Sequence, residues 1–165
     1  VVNSVLWNLV NECDLGELYH DRLWLTNDAA GLSTEPDGTF ASWNTIQSGR
    51  VKIVPVGDDE DDGVELRGSP DWVLEVVSKT SERKDKKVLP ELYHRAGICE
   101  YWLIDARRNE LQFTVFHYTK DKYVVAEPLQ GWLWSEVFQR EFQMERIRHQ
   151  LGRWRYLLHV RARTS

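Results

Sequence analysis

Long apolar runs are the first thing this sequence lacks. Nowhere in its 165 residues is there a stretch of about eighteen apolar side chains, the length that marks a membrane-crossing helix. No basic, then apolar, then small-residue leader opens it either. We therefore expect no membrane partner and a cytoplasmic location. Cysteine is scarce: Cys13 and Cys99 lie far apart, outside any Cys-x-x-Cys or Cys/His cluster, which argues against a disulfide scaffold or a zinc site. Both are expected to be reduced and buried. No repeat is visible, and positive charge is not in excess. A net charge of -5 argues against coating nucleic acid through bulk charge, although a local basic surface can still hold phosphates.

Length and composition fit one domain, residues 1–165, with a sizeable core. The opening residues already carry helical spacing at Val5, Leu9 and Val10, from which we expect a segment to be missing upstream. Residues 3–13 read as a helix packed on a sheet. RLWLTN (22–27), TFASW (39–43) and RVKIVPV (50–56) read as strands, and NDAAGLSTEPDG (27–38) as a turn-rich connection. GDDEDDG (57–63) reads as a solvated acidic loop lacking the alternating ligands of a calcium hand. DWVLEVVS (71–78) is an extended run, KTSERKDKK (79–87) a charged turn, and DKKVLPELYHRAG (85–97) a helix. Pro90 either opens the regular part of that helix or kinks it. EYWLIDA (100–106), LQFTVFHYT (111–119), KYVVAEP (122–128) and RWRYLLHV (153–160) complete the strands. The eight tryptophans are scattered, which suits core anchors better than a base-stacking platform.

Two acids stand out in the extended run. A period of two puts Asp71, Val73 and Glu75 on one face and Trp72, Leu74 and Val76 on the other. Ionised carboxylates on an apolar face need a metal, a base, an opening or an ion pair beside them. Asp37 follows a proline that fixes the backbone at the start of a strand. That position suits a ligand that must hold its direction, and equally a Pro-Asp-Gly turn.

TEPDGTFAS (34–42), PDWVLEVVSKTS (70–81) and RKDKKVLPELYHRAGICEYWLIDAR (83–107), in this order, resemble the Uma-type restriction endonuclease domain family of the PD-(D/E)XK nuclease superfamily. The resemblance implies an α/β fold, a restriction-endonuclease-like mixed sheet flanked by helices. It also implies a metal-dependent endonuclease acting on nucleic acid, DNA foremost, with Mg²⁺ or Mn²⁺ as cofactor. By motif, Asp37 and Glu75 would be metal ligands and catalytic acids, with Asp71 as a further ligand. The superfamily lysine two residues after the second acid is Val77 here. The lysine that many relatives place four residues before the tyrosine matching Tyr93 is Leu89. The role then passes to Lys84, ahead of Lys79, Lys86 and Lys87. Two other readings stay open: a nuclease fold that has lost catalysis and serves as a binding or regulatory module, and a homodimer built on Trp132 and Trp134.

Overall fold

The computed structural model describes residues 1–20, 23–57, 63–107 and 109–163. Helix α1 (Val2–Glu12) turns Val2, Leu6 and Val10 inward, as its helical spacing predicts. Strands β1 (Gly16–Tyr19), β2 (Leu23–Asn27), β3 (Leu32–Thr34) and β4 (Gly38–Ser42) follow. The strand expected over residues 39–43 stops at Ser42, and Trp43 opens helix α2 (Trp43–Gln47). The chain turns off there because the Ser42 hydroxyl accepts the Thr45 N–H at 3.2 Å, a side-chain cap on a helix start. Next come β5 (Val51–Pro55), β6 (Val64–Gly68) and β7 (Trp72–Val76). The acidic residues 58–62, expected as a loop, lie outside the described residues.

A π-helical turn (Lys84–Val88) runs into helix α3 (Leu89–Arg95). Pro90 falls in the first turn of α3, where its missing N–H costs nothing. Gly97 takes φ 71° just beyond the helix, a left-handed conformation that glycine adopts without strain. The chain finishes with β8 (Glu100–Asp105), β9 (Gln112–Tyr118), β10 (Tyr123–Val125), β11 (Leu133–Ser135), β12 (Arg140–Arg148) and β13 (Trp154–Arg161).

Six strands form the central sheet in the order β1-β4-β7-β8-β9-β10. Only β7 and β8 are parallel in it, as the helical crossover between them requires. One face of that sheet carries Val73, Tyr101 and Leu103 against α3 and a second sheet ordered β3-β2-β6-β5. The other face carries Phe40, Trp72, Leu74, Trp102 and Ile104 against α1 and the third sheet, β11-β12-β13. Alternation in β7 thus falls on the two faces as read from the sequence. Among the described residues no helix is long and apolar enough to cross a membrane.

Two expectations need correction. Cys13 is exposed and Cys99 half-buried, so neither is a buried core thiol. Trp72 and Trp102 anchor the core, but Trp7, Trp24, Trp43 and Trp154 are exposed. Trp24 and Trp43 sit at the surface because their indole N–H groups find Ser33 and Asp14 there, at 3.1 and 2.9 Å.

Glu100 ties the third sheet to the first. It is fully buried and accepts from Trp102 Nε1 and Ser135 Oγ at 2.6 Å each and from Glu136 N at 2.8 Å. Removing it strands buried donors, each worth about 1–3 kcal/mol when left unpaired. Glu100→Ala is therefore expected to lose about 3 kcal/mol or more in urea unfolding, and Glu100→Gln, which still accepts, distinctly less.

Candidate active site

The acids gather where β4 begins and β7 ends. Gly38 pairs with Leu74 across antiparallel strands, so Asp37 stands opposite Glu75. Its backbone N–H donates to Leu74 O at 3.0 Å, and its Oδ2 accepts from Val76 N at 2.6 Å. Asp37 therefore grips both chain neighbours of Glu75, which fixes its side chain at the strand end. Gly38 leaves room for α1 and the Trp72 ring to pack over this strand start: a Cβ built there would lie 2.8 Å from Asn3 Oδ1 and 3.1 Å from the Trp72 ring.

Glu75 points the other way from Leu74 and Val76, toward α3. It is 4 % exposed, and the Tyr93 hydroxyl donates to its Oε1 at 2.5 Å. Burial pushes its carboxyl up to about 8; Tyr93 and Lys84 pull it down, while Asp37 and Asp85 push it further up. Asp85, also buried, is raised by the same loss of water and feels the same Lys84 and Asp37 charges. Its Oδ2 is held by the Ser81 hydroxyl, whereas its Oδ1 is buried without any hydrogen-bond partner among the described residues. Three carboxylates and one ammonium are thus within electrostatic reach of one another.

The π-helical turn sets this cluster. Tyr101 Oη donates to Asp85 O at 2.8 Å. Lys86 Nζ reaches Asp105 Oδ2 at 2.7 Å, and Arg107 Nη2 reaches the same oxygen at 2.8 Å. Arg107 also holds Glu82 at 2.8 Å. Those hydrogen bonds, Arg107 first, keep the Asp105 carboxyl well below the ordinary range, so Lys86 is committed to structure. Lys84, the lysine favoured from sequence, is the one whose charge falls on Glu75 and Asp85.

Asp71 is not brought to this point. Its Oδ2 accepts from Ser42 N at 2.7 Å and its Oδ1 from Thr45 Oγ1 at 2.8 Å, with Arg50 at 3.8 Å. Four residues before Glu75 on an extended strand, it lies about 13 Å away. Both of its carboxylate oxygens are engaged at the start of α2, apart from the Asp37 and Glu75 strand ends where it was expected to join them. Asp85 and Tyr93 are the members that the sequence reading left out of the site. Their eight-residue separation, with Leu89 between, places all three on one side of a helix, and that spacing was the available signal.

Among the described residues no three His, Cys, Asp or Glu side chains converge as a ready-made metal cage. A Mg²⁺ site needs only one or two carboxylates, with waters and substrate oxygens filling the rest. The donor set fits such an ion: all are hard oxygens, and Asp85 Oδ1 is an orphaned buried acceptor beside a carboxylate that burial holds protonated. Asp37 also lines an open cleft of about 390 Å³ with His20, Leu74, Val76, Met144 and Tyr156, on the sheet face opposite the one to which Glu75 points.

A mixed sheet with two acidic strand ends, a helical crossover and a parallel return strand defines a restriction-endonuclease-like α/β protein. The chain belongs to the Uma2 family, described as "Putative restriction endonuclease", whose pattern matches residues 2–147. A solved structure described as a putative nuclease belonging to DUF820 from Anabaena variabilis is similar in fold. It has a TM-score of 0.51 and 22% identity over 83% of this chain and 69% of that one. None of the curated proteins matches the chain.

Burial of Glu75 carries a pH signature. An ordinary glutamate titrates near 4.5 and this one near 8 in the folded chain, so between those values the unfolded chain releases a proton that the folded chain keeps. Stability from Glu75 is complete below pH 4.5 and drains away as pH rises to about 8. Glu75→Gln keeps the acceptor for Tyr93 and has no charge to bury. We expect it to melt several degrees above the wild type at pH 8 and level with it at pH 4.5; equal melting temperatures at both pH values would contradict this origin of the shift.

Proposed function

We propose that the chain is a divalent-cation-dependent endonuclease that hydrolyses phosphodiester bonds of DNA at the Asp37, Glu75 and Asp85 cluster. The observation that carries this reading is that three carboxylates, two of them buried, lie within electrostatic reach of one another and of Lys84 at the junction of β4, β7 and the π-helical turn. A bound Mg²⁺ or Mn²⁺ supplies an acidified water and neutralises charge on the attacked phosphate. Asp37 and Glu75 would hold the ion, with Asp85 Oδ1 as the third oxygen. Tyr93 donates its hydroxyl to Oε1 of Glu75, which leaves Oε2 for the ion. Lys84, exposed at the rim, brings a positive charge to the phosphate as negative charge develops, the kind of stabilisation that is worth about 10²- to 10³-fold in rate.

Leu89 favours a second reading. It occupies the helix position where the family resemblance implies lysine, and it is 2 % exposed inside the core, so no catalytic cation can sit there. A chain that binds nucleic acid and no longer cuts it would look the same at that residue. Incubating single- and double-stranded DNA with Mg²⁺ or Mn²⁺ separates the two. Cleavage is expected from the wild type, lost in Glu75→Ala, lowered about 100-fold in Lys84→Ala and unchanged in Lys87→Ala. No cleavage with either metal, or cleavage that survives Glu75→Ala, counts against the nuclease reading.

A further inference from the structure

The most basic part of the molecule lies away from the acidic cluster, on the ribbon formed by β12 and β13. Six of the chain's 21 basic side chains lie between Arg146 and Arg163, and none of its 26 acids. In a chain of net charge -5, this concentrates positive potential on one element. The second strand of the ribbon also lies past residue 147, where the family match ends.

The register shows which side the charge faces. Met144 pairs with Leu158, Arg146 with Tyr156 and Arg148 with Trp154, so these pairs share one face. Met144 and Leu158 pack in the core beneath it. One step outward, Tyr156 lines the cleft that Asp37 also lines. The next step is Arg148 with Trp154, and the turn that follows carries Arg153. Arg153, Trp154 and Arg155 line a second open hollow of about 650 Å³ that shares Tyr156 with the first. On this face Arg148 therefore stands between Arg153 at the ribbon tip and the cleft that Asp37 lines, while Arg155, paired with Ile147, projects from the other face of the ribbon. Arg148, Arg153 and Arg155 are exposed, and among the described residues none has a carboxylate partner. By contrast, Arg161 is neutralised by Glu141 at 2.7 Å, and Arg146 is tied to Ala106 O at 3.4 Å.

We propose that the β12–β13 ribbon is a duplex-DNA-binding arm, with Arg148, Arg153 and Arg155 gripping backbone phosphates and leading them to the Asp37 cleft. The choice of polyanion rests on the nuclease reading above; the charge and placement of the arm do not. Guanidinium forks match phosphate oxygens bidentately. Nine residues of β12 span about 30 Å, close to one duplex turn, and a two-stranded ribbon fits the major groove. Single-strand stacking fits less well, because Arg146 already covers the Trp154 ring at 4.3 Å and Arg148 lies 5.4 Å from it.

The test is fluorescence anisotropy with a labelled duplex in EDTA, so that binding is read without cleavage. We expect wild-type affinity to fall steeply with salt. The triple variant Arg148→Gln, Arg153→Gln, Arg155→Gln should bind at least about tenfold more weakly near 50 mM salt, with a log-log salt slope shallower by about 2–3. Should the triple variant lose its circular dichroism spectrum, Arg153→Gln in the turn is read instead, with a slope shallower by about 1. Lys122→Gln, which removes an exposed cation outside the ribbon, should bind as the wild type does. Unchanged affinity and slope in the arginine variants overturn the arm, as does a single strand binding more tightly than the duplex. A change in oligomeric state without a change in DNA affinity also overturns it, in favour of self-association. Absent cleavage with these binding results intact contradicts the nuclease reading and leaves the arm standing.

Discussion

Removing Glu75 from water is the constraint around which this molecule is arranged. An isolated carboxylate in an apolar interior costs several kcal/mol, and Glu75 sits between β7 and α3 at 4 % exposure. It has one hydroxyl donor, Tyr93, and two acidic neighbours that make its ionisation harder. Such a group is held neutral until a positive charge arrives. A buried glutamate with an ion-pair partner at contact distance would suggest a structural bridge; among the described residues this one has no such partner, and Lys84 acts on it from the rim. That asymmetry is what makes the cluster read as a place for a cation rather than as a satisfied core pair.

The surrounding structure keeps the strained arrangement in place. Parallel pairing of β7 and β8 brings Glu75 level with Leu103, and the crossover between the two strands has to pass directly over the acid. Lys86, Arg107, Glu82 and Asp105 clamp the π-helical turn to the end of β8, which leaves Asp85 facing inward and Lys84 at the rim. On the opposite sheet face, the Trp72, Trp102, Phe138 and Phe142 rings pack edge-on at 4.8–6.1 Å, and Glu100 joins that layer to the third sheet. Two apolar layers thus lock the central strands whose ends carry the acids.

Much of this was legible in the sequence, for physical reasons that vary by residue. The alternation in DWVLEVVS gave the two faces of β7 because both are buried and must be filled. Asp37 and Glu75 were legible as partners only through the family resemblance, since spacing alone cannot bring two strands together. Asp71 looked equivalent to Glu75 by periodicity; the cap it forms on α2 depends on Ser42 and Thr45, nearly thirty residues away. Strands β1, β3, β6, β11 and β12 went unread: β3 and β11 have too few residues for a period, and VELRG in β6 places Glu65 and Arg67 in a mutual pair at 2.8 Å. Lys84 was separable from Lys86 only when Asp105 was seen to claim the latter.

On the proposed reading, a divalent cation binding at Glu75 would displace its carboxyl proton into solvent. Calorimetric titration of the metal-free protein with Mn²⁺ at pH 7, repeated in buffers of different ionisation enthalpy, measures both binding and proton release. Binding that releases close to one proton per ion, and that is lost together with that release in Glu75→Gln, is the predicted result. No binding, or binding that is unchanged and proton-neutral in the Gln variant, would contradict it.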